Sequence, residues 1–278
     1  VALASLAPCT CGFALGVGYG NIGGILFSQH FLDHFEQPSD SKLEMLAAML
    51  QAGSILGSAA AGRAADKMGR RGAGLAAGTI LVVGDLVLLG PLFCNVSMFS
   101  VFVGRFLVGF AGGILCTAIP IYVSEVCPAA HRGGVESSFQ FAVELGMLGS
   151  YILNYFILAG SPNGWKASLG WQLLPSTIFV AVILFLPESP RWMIVANGDT
   201  TGATAVLKRF RQPHENIVQE VQAIVAEQGV ESSRTANQDA EQAATQASSH
   251  PSELCSRAHR STVIVTTLVL ILQVATGI

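Results

Sequence analysis

The sequence predicts an all-α membrane protein, and three observations support this prediction. First, 51% of the 278 residues are hydrophobic and only 12% are charged, too few to cover a soluble globule of this size. Second, the apolar residues form long blocks with very few charges, close to the ~20 residues that a helix needs to cross ~30 Å of hydrocarbon. Third, the basic residues gather in alternate loops, as they do in proteins that cross a membrane several times.

Six apolar blocks have lengths that approach or reach a full crossing, and a seventh reaches the end of the sequence. The blocks cover residues 2–27, 43–61, 74–93, 98–123, 135–158, 171–186 and 263–278. The first block follows no basic segment and is rich in glycine, which favours a packed span over a signal peptide. We therefore predict six complete spans and the start of a seventh. Because the sequence begins without Met and ends inside an apolar run, we expect it to be a fragment.

The distribution of Lys and Arg predicts the orientation of the spans. The odd-numbered loops contain only Lys42 and Lys166. The basic residues of the even-numbered loops are Arg63, Lys67, Arg70, Arg71, Arg132, Arg191, Lys208, Arg209, Arg211, Arg234, Arg257 and Arg260. Since positive loops stay on the cytoplasmic side, these loops and the N-terminus are predicted to be cytoplasmic.

A polar linker separates the sixth span from the seventh. Apolar residues recur at helical spacing over residues 201–211 and 216–228, which predicts two short amphipathic helices. Residues 229–253 are mostly Ser, Ala, Gln and Glu, a composition typical of disorder. The predicted domains are a six-span bundle over 1–190, the linker over 191–262, and the start of the seventh span over 263–278.

Several classes of function are disfavoured by composition and spacing. The six cysteines lie mostly in or beside spans, and none has a further Cys or His at ligand spacing, so we expect no metal site and no cofactor. The net charge of −3 gives no sign of a nucleic-acid partner. No nucleophile is paired with a base and no phosphate-binding loop is present, so we expect no enzyme activity.

Three motifs occur in order along the chain. GRAADKMGRR covers residues 62–71, GRFLVGFAGG covers 104–113 and continues into PIYVSEVCP at 120–128, and PESPRW covers 187–192. In type and spacing these motifs resemble the sugar porters of the major facilitator superfamily. The resemblance covers nearly the whole chain except the polar part of the linker.

This resemblance implies the N-terminal six-helix bundle of a major facilitator transporter for a hexose or a related sugar or polyol. The implied partners are a small sugar, the lipid bilayer, and a C-terminal bundle of the same protein, in a location that is most often the plasma membrane. It also implies a cytoplasmic gate that latches the two bundles in the outward-open state, formed by Asp66, Arg70, Arg71, Glu125, Arg132, Glu188 and Arg191. The alternative for each residue is a solvated loop charge of little energetic consequence.

Polar residues on the fifth span are candidates for binding the sugar. Gln140, Glu144 and Asn154 recur at spacings of three and four residues together with Met147 and Tyr151, which predicts one shared helix face.

An amide both donates and accepts hydrogen bonds, as a sugar hydroxyl does, and Gln140 matches a sugar-binding glutamine of the family. The alternative is a glutamine that joins helices. Gln273 matches a second sugar ligand, while Val274 replaces the glutamine that follows it in relatives.

The mode of transport is suggested by a missing acid. Proton-coupled members of the family have an Asp in the first span, and a glycine, either Gly18 or Gly20, stands there in this sequence. Its absence implies facilitated diffusion, with a proton symporter that uses Asp85 or Glu144 as one alternative. A transporter-like sugar receptor is the other.

Asp85 and Arg105 are predicted to form an ion pair within the membrane. Counted from the ends of the third and fourth spans, both lie about 10–12 Å inside the same face, at ~1.5 Å per residue. A buried guanidinium needs a partner, and Asp85 is the nearest acid by depth. In the alternative, Asp85 is protonated against the backbone while Arg105 lines the cavity.

Overall fold

Helices account for all regular structure in the part of the chain that the computed structural model describes, which is residues 2–26, 28–90, 98–160, 163–211 and 217–227. These residues contain no strand, so the all-α prediction is confirmed for them. The helices are α1 (Ala2–Leu26), α2 (Gln29–His34), α3 (Asp40–Met68), α4 (Arg70–Leu88), α5 (Met98–Val126), α6 (Ala129–Gly160), α7 (Gly164–Trp171), α8 (Leu173–Phe185), α9 (Pro190–Asn197), α10 (Thr200–Phe210) and α11 (217–227).

Six helical segments of the described residues are long and apolar enough to cross a membrane. They correspond to α1, α3, α4, α5, α6, and α7 with α8 taken together. The helices extend beyond most of the apolar blocks, because their polar ends continue the helical hydrogen bonding outside the hydrocarbon. For example, α3 begins at Asp40 and ends at Met68, where Gly69 adopts a φ of 84° and turns the chain into α4.

The sixth span is longer than the sequence indicated. It runs from Gly164 to Phe185 and is interrupted at Gln172, between α7 and α8. The predicted start at Trp171 is therefore wrong. Lys166 interrupts the apolar block, but its ammonium lies over the ring of Trp165, 5.4 Å from the ring centre, and this contact allows the charge to sit at the start of the span.

The fold is held together by helix pairs whose backbones are in contact. Along α3 and α5, a Cβ added to Gly109 would collide with the backbone of Leu50, and one added to Gly113 would collide with the backbone of Ser54. Ser54 donates a hydrogen bond to the Gly109 carbonyl (3.1 Å), and Ser58 donates to the Gly113 carbonyl (3.3 Å). Small residues and cross-helix hydrogen bonds of this kind are the usual way to join helices in a membrane.

The same device joins α1 to α6. A Cβ added to Gly16 would collide with the carbonyl of Val143, and one added to Gly146 would collide with the carbonyl of Phe13. Ser150 donates a hydrogen bond across the pair to the Val17 carbonyl (3.2 Å). The bundle therefore contains two tightly paired sets of spans.

The chain divides into two compact units, Val1–Val225 and Ala226–Ile278. The first unit contains the six spans and α9, α10 and most of α11. The residue ranges of α10 and α11 agree closely with those of the two predicted linker helices, 201–211 and 216–228. The predicted disorder at 229–253 and the seventh span at 263–278, with Gln273, lie outside the described residues.

Candidate functional site

Glu188 joins the α8–α9 connection to the first turn of α4. Its carboxylate accepts hydrogen bonds from the backbone N–H groups of Arg71 (2.9 Å) and Gly72 (3.4 Å). Such first-turn N–H groups have no partner within their own helix, and the helix dipole also favours a negative charge there. Gly69, which precedes this turn, could not be replaced easily, because a Cβ there would collide with the Glu188 carboxylate.

Glu125, near the end of α5, accepts hydrogen bonds from two other elements. The Nε atom of Arg70 donates to Oε1 at 3.2 Å, and the hydroxyl of Ser189 donates to Oε2. Arg70 also forms an ion pair with Asp66, which lies on α3 just before the turn at Gly69, at 3.3 Å. The structure thus brings together five of the seven predicted gate residues, namely Asp66, Arg70, Arg71, Glu125 and Glu188.

The sequence analysis assigned no role to three further side chains of this group. Ser189 is fully buried beside Glu125, Tyr122 donates to the carbonyl of Pro187 (3.0 Å), and the indole N–H of Trp192 donates to the carbonyl of Asp66 (2.9 Å). All three lie within the motifs that carry the resemblance, so their position in the sequence was a usable signal. Their partners are backbone groups or distant residues, which spacing alone does not indicate.

Arg132 and Arg191, the remaining predicted gate residues, are exposed at the starts of α6 and α9. Among the described residues, Arg132 makes none of the side-chain hydrogen bonds or ion pairs that join the other gate residues. Arg132 and Glu125 are therefore close in the sequence, but their side chains are not joined in the structure.

Arg211 attaches the linker helices to the end of α5. Its guanidinium forms a two-pronged ion pair with Glu220 of α11, with distances of 2.9 Å and 2.5 Å. Its third nitrogen donates to the carbonyl of Val126 (2.8 Å), in the last turn of α5. A cation at the carbonyl end of a helix is favoured by the helix dipole, and the forked geometry fixes its direction.

Replacing Arg211 by alanine is expected to loosen α11 while leaving the spans intact. The two-pronged ion pair is largely buried on the arginine side, so its loss should speed amide exchange in α11 by about tenfold, the value for ~1.4 kcal/mol. Hydrogen–deuterium exchange measured by mass spectrometry on the full-length protein checks this. Arg209→Ala, an exposed neighbour on α10, is the control. Equal exchange in both variants would contradict the attachment.

The predicted sugar-binding face of α6 is partly exposed and partly buried. Gln140 and Glu144 are exposed, and the Gln140 amide donates to the Glu144 carboxylate at 2.8 Å. Asn154 is only 3% exposed: it donates to the carbonyl of Asn21 (3.0 Å) and accepts from the hydroxyl of Ser168. Asn154 therefore joins α6 to α1 and α7, and does not point outward with the other two side chains.

Asp85 and Arg105 lie in one buried group with Gln172, here named the Asp85 cluster. The Gln172 amide donates to Oδ1 of Asp85 at 2.5 Å, and Arg105 donates to the carbonyl of Gly18 at 2.9 Å. The direct ion pair predicted from depth is not found in this structure: Oδ1 of Asp85 is bonded to Gln172, and Nη1 of Arg105 is bonded to the carbonyl of Gly18. Gln172 was missed by the sequence analysis, since it lies at the break in a span whose start was misplaced.

Comparison with known sequences gives a consistent result. The family profile described as "Sugar (and other) transporter" matches residues 4–278. The glucose transporter GlcP of Staphylococcus epidermidis is 30% identical over 194 residues, which cover 69% of this chain and 42% of the relative. Putative polyol transporter 2 of Arabidopsis thaliana is 33% identical over 232 residues, covering 82% and 42%. The chain spans less than half of the length of these curated relatives.

Solved structures agree on the fold. The proton:xylose symporter XylE bound to 6-bromo-6-deoxy-D-glucose superposes with a TM-score of 0.74 at 23% identity, covering 82% of this chain and 53% of that one. A partially occluded inward-open form of the xylose transporter XylE from E. coli gives 0.73 at 24% identity, covering 81% and 58%. At this level of identity the likeness supports the major facilitator fold, as predicted, and nothing about the ligand.

Proposed function

Because this chain belongs to the sugar transporter family, we propose that it is the N-terminal half of a transporter that moves a hexose or a related sugar or polyol by alternating access. The family and the six apolar helices make it an integral multi-pass membrane protein. The second bundle would come from the remainder of the same protein, and the sugar site would lie between the two. We place the N-terminus and linker in the cytoplasm, and the protein in the plasma membrane.

The observation that carries the sugar proposal is the exposed polar pair on α6. Gln140 and Glu144 lie within an apolar span, where uncompensated polar groups are costly unless they face a cavity or a partner. Glu144 fixes the orientation of the Gln140 amide, which leaves the amide oxygen available to a hydroxyl. Asn154 contributes indirectly, by holding α6 against α1. Gln273 keeps its proposed role as a ligand from the seventh span.

The group around Glu125 and Glu188 would serve as this half's part of the cytoplasmic gate. Within this half it fixes the turn between α3 and α4 and the start of α9. The exposed side chains of Arg132 and Arg191 lie at the same connections, and we propose that Arg132 faces the second bundle there. Carboxylates and guanidinia suit such a gate, because their hydrogen bonds are strong when made and both groups are well solvated when released.

We propose facilitated diffusion as the mode of transport. A glycine in the first span replaces the acid of proton-coupled relatives. The test is uptake of labelled hexoses and polyols by the full-length protein in cells that lack their own sugar transporters, with and without a protonophore. Saturable uptake that survives the protonophore is expected. Surface-expressed protein that takes up none of these solutes would overturn the proposal.

Replacing Gln140 by alanine is expected to weaken sugar binding without lowering expression. A lost hydrogen bond to a hydroxyl corresponds to about a threefold to tenfold rise in KM. The KM is measured from initial uptake rates at a series of sugar concentrations, normalised to the amount of protein at the cell surface. Gln51→Ala removes an exposed glutamine from α3 and is the control. An unchanged KM in the Gln140 variant would argue for a purely structural role.

A further inference from the structure

The Asp85 cluster is closed to solvent from all sides. Asp85 and Arg105 are 0% exposed and Gln172 is 1% exposed. A buried charge costs several kcal/mol unless it is paired and its hydrogen-bonding capacity is met. Buried charged side chains are therefore expected only where other polar groups stabilise them or where they have a function.

Four polar atoms of the cluster have no hydrogen-bond partner among the described residues: Asp85 Oδ2, Gln172 Oε1, and Nε and Nη2 of Arg105. They lie close together, because Gln172 bonds to Asp85, Arg105 bonds to the Gly18 carbonyl, and a Cβ on Gly18 would be 3.5 Å from the Gln172 amide nitrogen. Arg105 is also near enough to act on Asp85 electrostatically. The unmet atoms therefore comprise two acceptors and two donors in one small region.

The chemistry of these atoms selects the ligand. A metal ion would suit the two oxygens but would be repelled by Arg105. An anion would suit the guanidinium but would be repelled by the carboxylate. Water both donates and accepts, so it can serve both kinds of atom, and buried waters usually make about three such bonds.

We propose that Asp85, Gln172 and Arg105 form a buried water site at which Asp85 takes up and releases a proton. In the uptake step a hydronium ion from solvent transfers its proton to Oδ2 of Asp85; the new O–H bond forms there and a neutral water remains. The reverse step returns the proton to water. The neutral carboxyl keeps its bond from Gln172, while Arg105 loses the negative charge opposite it.

Among the residues that the structure describes, few other charged groups face Asp85. Helices α1 and α8 contain no Asp, Glu, Lys or Arg, and Glu125 of α5 lies five turns beyond Arg105. Lys166 of α7 is engaged with Trp165, and Tyr19, next to Gly18, is the nearest titratable group on α1. Arg105 is thus the charged partner that responds when Asp85 gains or loses its proton.

The closure of the site ties protonation to movement of the helices. Solvent reaches none of the three side chains in this conformation, so a proton can exchange only when the surrounding helices separate. The protonation state should then bias the balance between conformations, and the transport rate should depend on pH. Downhill transport is preserved, because a proton that binds and leaves on the same side performs no net work.

The experiment compares wild type with Asp85→Asn in sugar equilibrium exchange by the full-length protein in liposomes, between about pH 5 and about pH 8. This readout rests on the proposed function. The wild-type rate should change about fivefold or more, the lower end of usual coupling between two sites. Asparagine mimics the protonated acid, so the variant should show one rate at every pH, equal to the wild-type rate at the acid end. Glu136→Gln, an exposed acid on α6, should keep the wild-type profile.

A second measurement separates this inference from the transport proposal and from misfolding. Infrared difference spectra of the purified protein between the two pH values should contain the C=O stretch of a protonated carboxylic acid, and Asp85→Asn should lack it. Absence of the band from wild type, or an unchanged pH profile in the variant, would overturn the proton site. Absence of any sugar exchange with the band present would count against the transport proposal alone.

Discussion

Replacing Gly109 by alanine should leave little folded protein, because the new methyl group has no space between α3 and α5. It would collide with the backbone of Leu50, which cannot move aside as a flexible side chain could. Forcing an extra carbon into a packed interface costs ~1–3 kcal/mol or more, and here it also stretches the hydrogen bond from Ser54 to the Gly109 carbonyl.

The matched control is Gly149→Ala on α6, where an added Cβ meets nothing within 4 Å. Alanine is the better helix former by ~1 kcal/mol, so this variant should be as stable as wild type or slightly more stable. The melting temperatures of the two full-length variants in detergent are measured by thermal unfolding, followed by size-exclusion chromatography. Similar melting temperatures for the two variants would show that α3 and α5 are not in backbone contact.

Glu125→Ala should shift the full-length protein strongly away from the outward-open state. The change leaves Arg70 and Ser189 without the carboxylate that both contact, at the end of the bundle that we propose forms the cytoplasmic gate. A hydrogen bond to a charged group contributes ~1.5–3 kcal/mol, so the ratio of outward-open to inward-open protein should fall by about tenfold or more. The Arg132 side chain makes no such contact with the described residues, so Arg132→Ala should change the geometry of this half less.

Labelling from the outside measures this shift. A cysteine at Tyr151, exposed on α6, should react more slowly with an impermeant maleimide when Glu125 is also replaced. Glu136→Ala, an exposed acid near the start of the same helix, should leave the labelling rate unchanged. If the rate is the same in the Glu125 variant, the carboxylate does not hold the gate.

The spans and the gate motifs were accessible from sequence because each depends on local pattern. Apolar run length locates a span, and Asp66 and Arg70 are so close in the sequence that they remain within reach of each other across the turn at Gly69, where the ion pair is found. The start of the sixth span failed for a physical reason: Lys166 looks like a boundary until its contact with Trp165 is known. Composition does not reveal such compensation.

The details of the polar interior could not be predicted, because they depend on how each helix is rotated. The spacing predicted that Asn154 shares a helix face with Gln140. In the structure Asn154 is buried, because it bonds to Asn21 on α1 and to Ser168 on α7. Depth correctly brought Asp85 near Arg105, but depth carries no information about Gln172, which bonds to the acid instead. Which partner a third helix provides depends on how the helices pack. The spacing of residues along one helix does not reveal this packing.

Pro120 has a mechanical consequence for α5. Proline has no N–H, so the carbonyl of Cys116 receives no bond from it, and the helix is weakened at that turn. Above this turn, backbone contact at Gly109 and Gly113 clamps α5 to α3 and prevents the two from sliding. Below it lies Glu125. The turn that carries Glu125 is therefore less constrained than the part of α5 that is held against α3, and we expect Glu125 to change its direction more easily than Gly109 or Gly113 can change position.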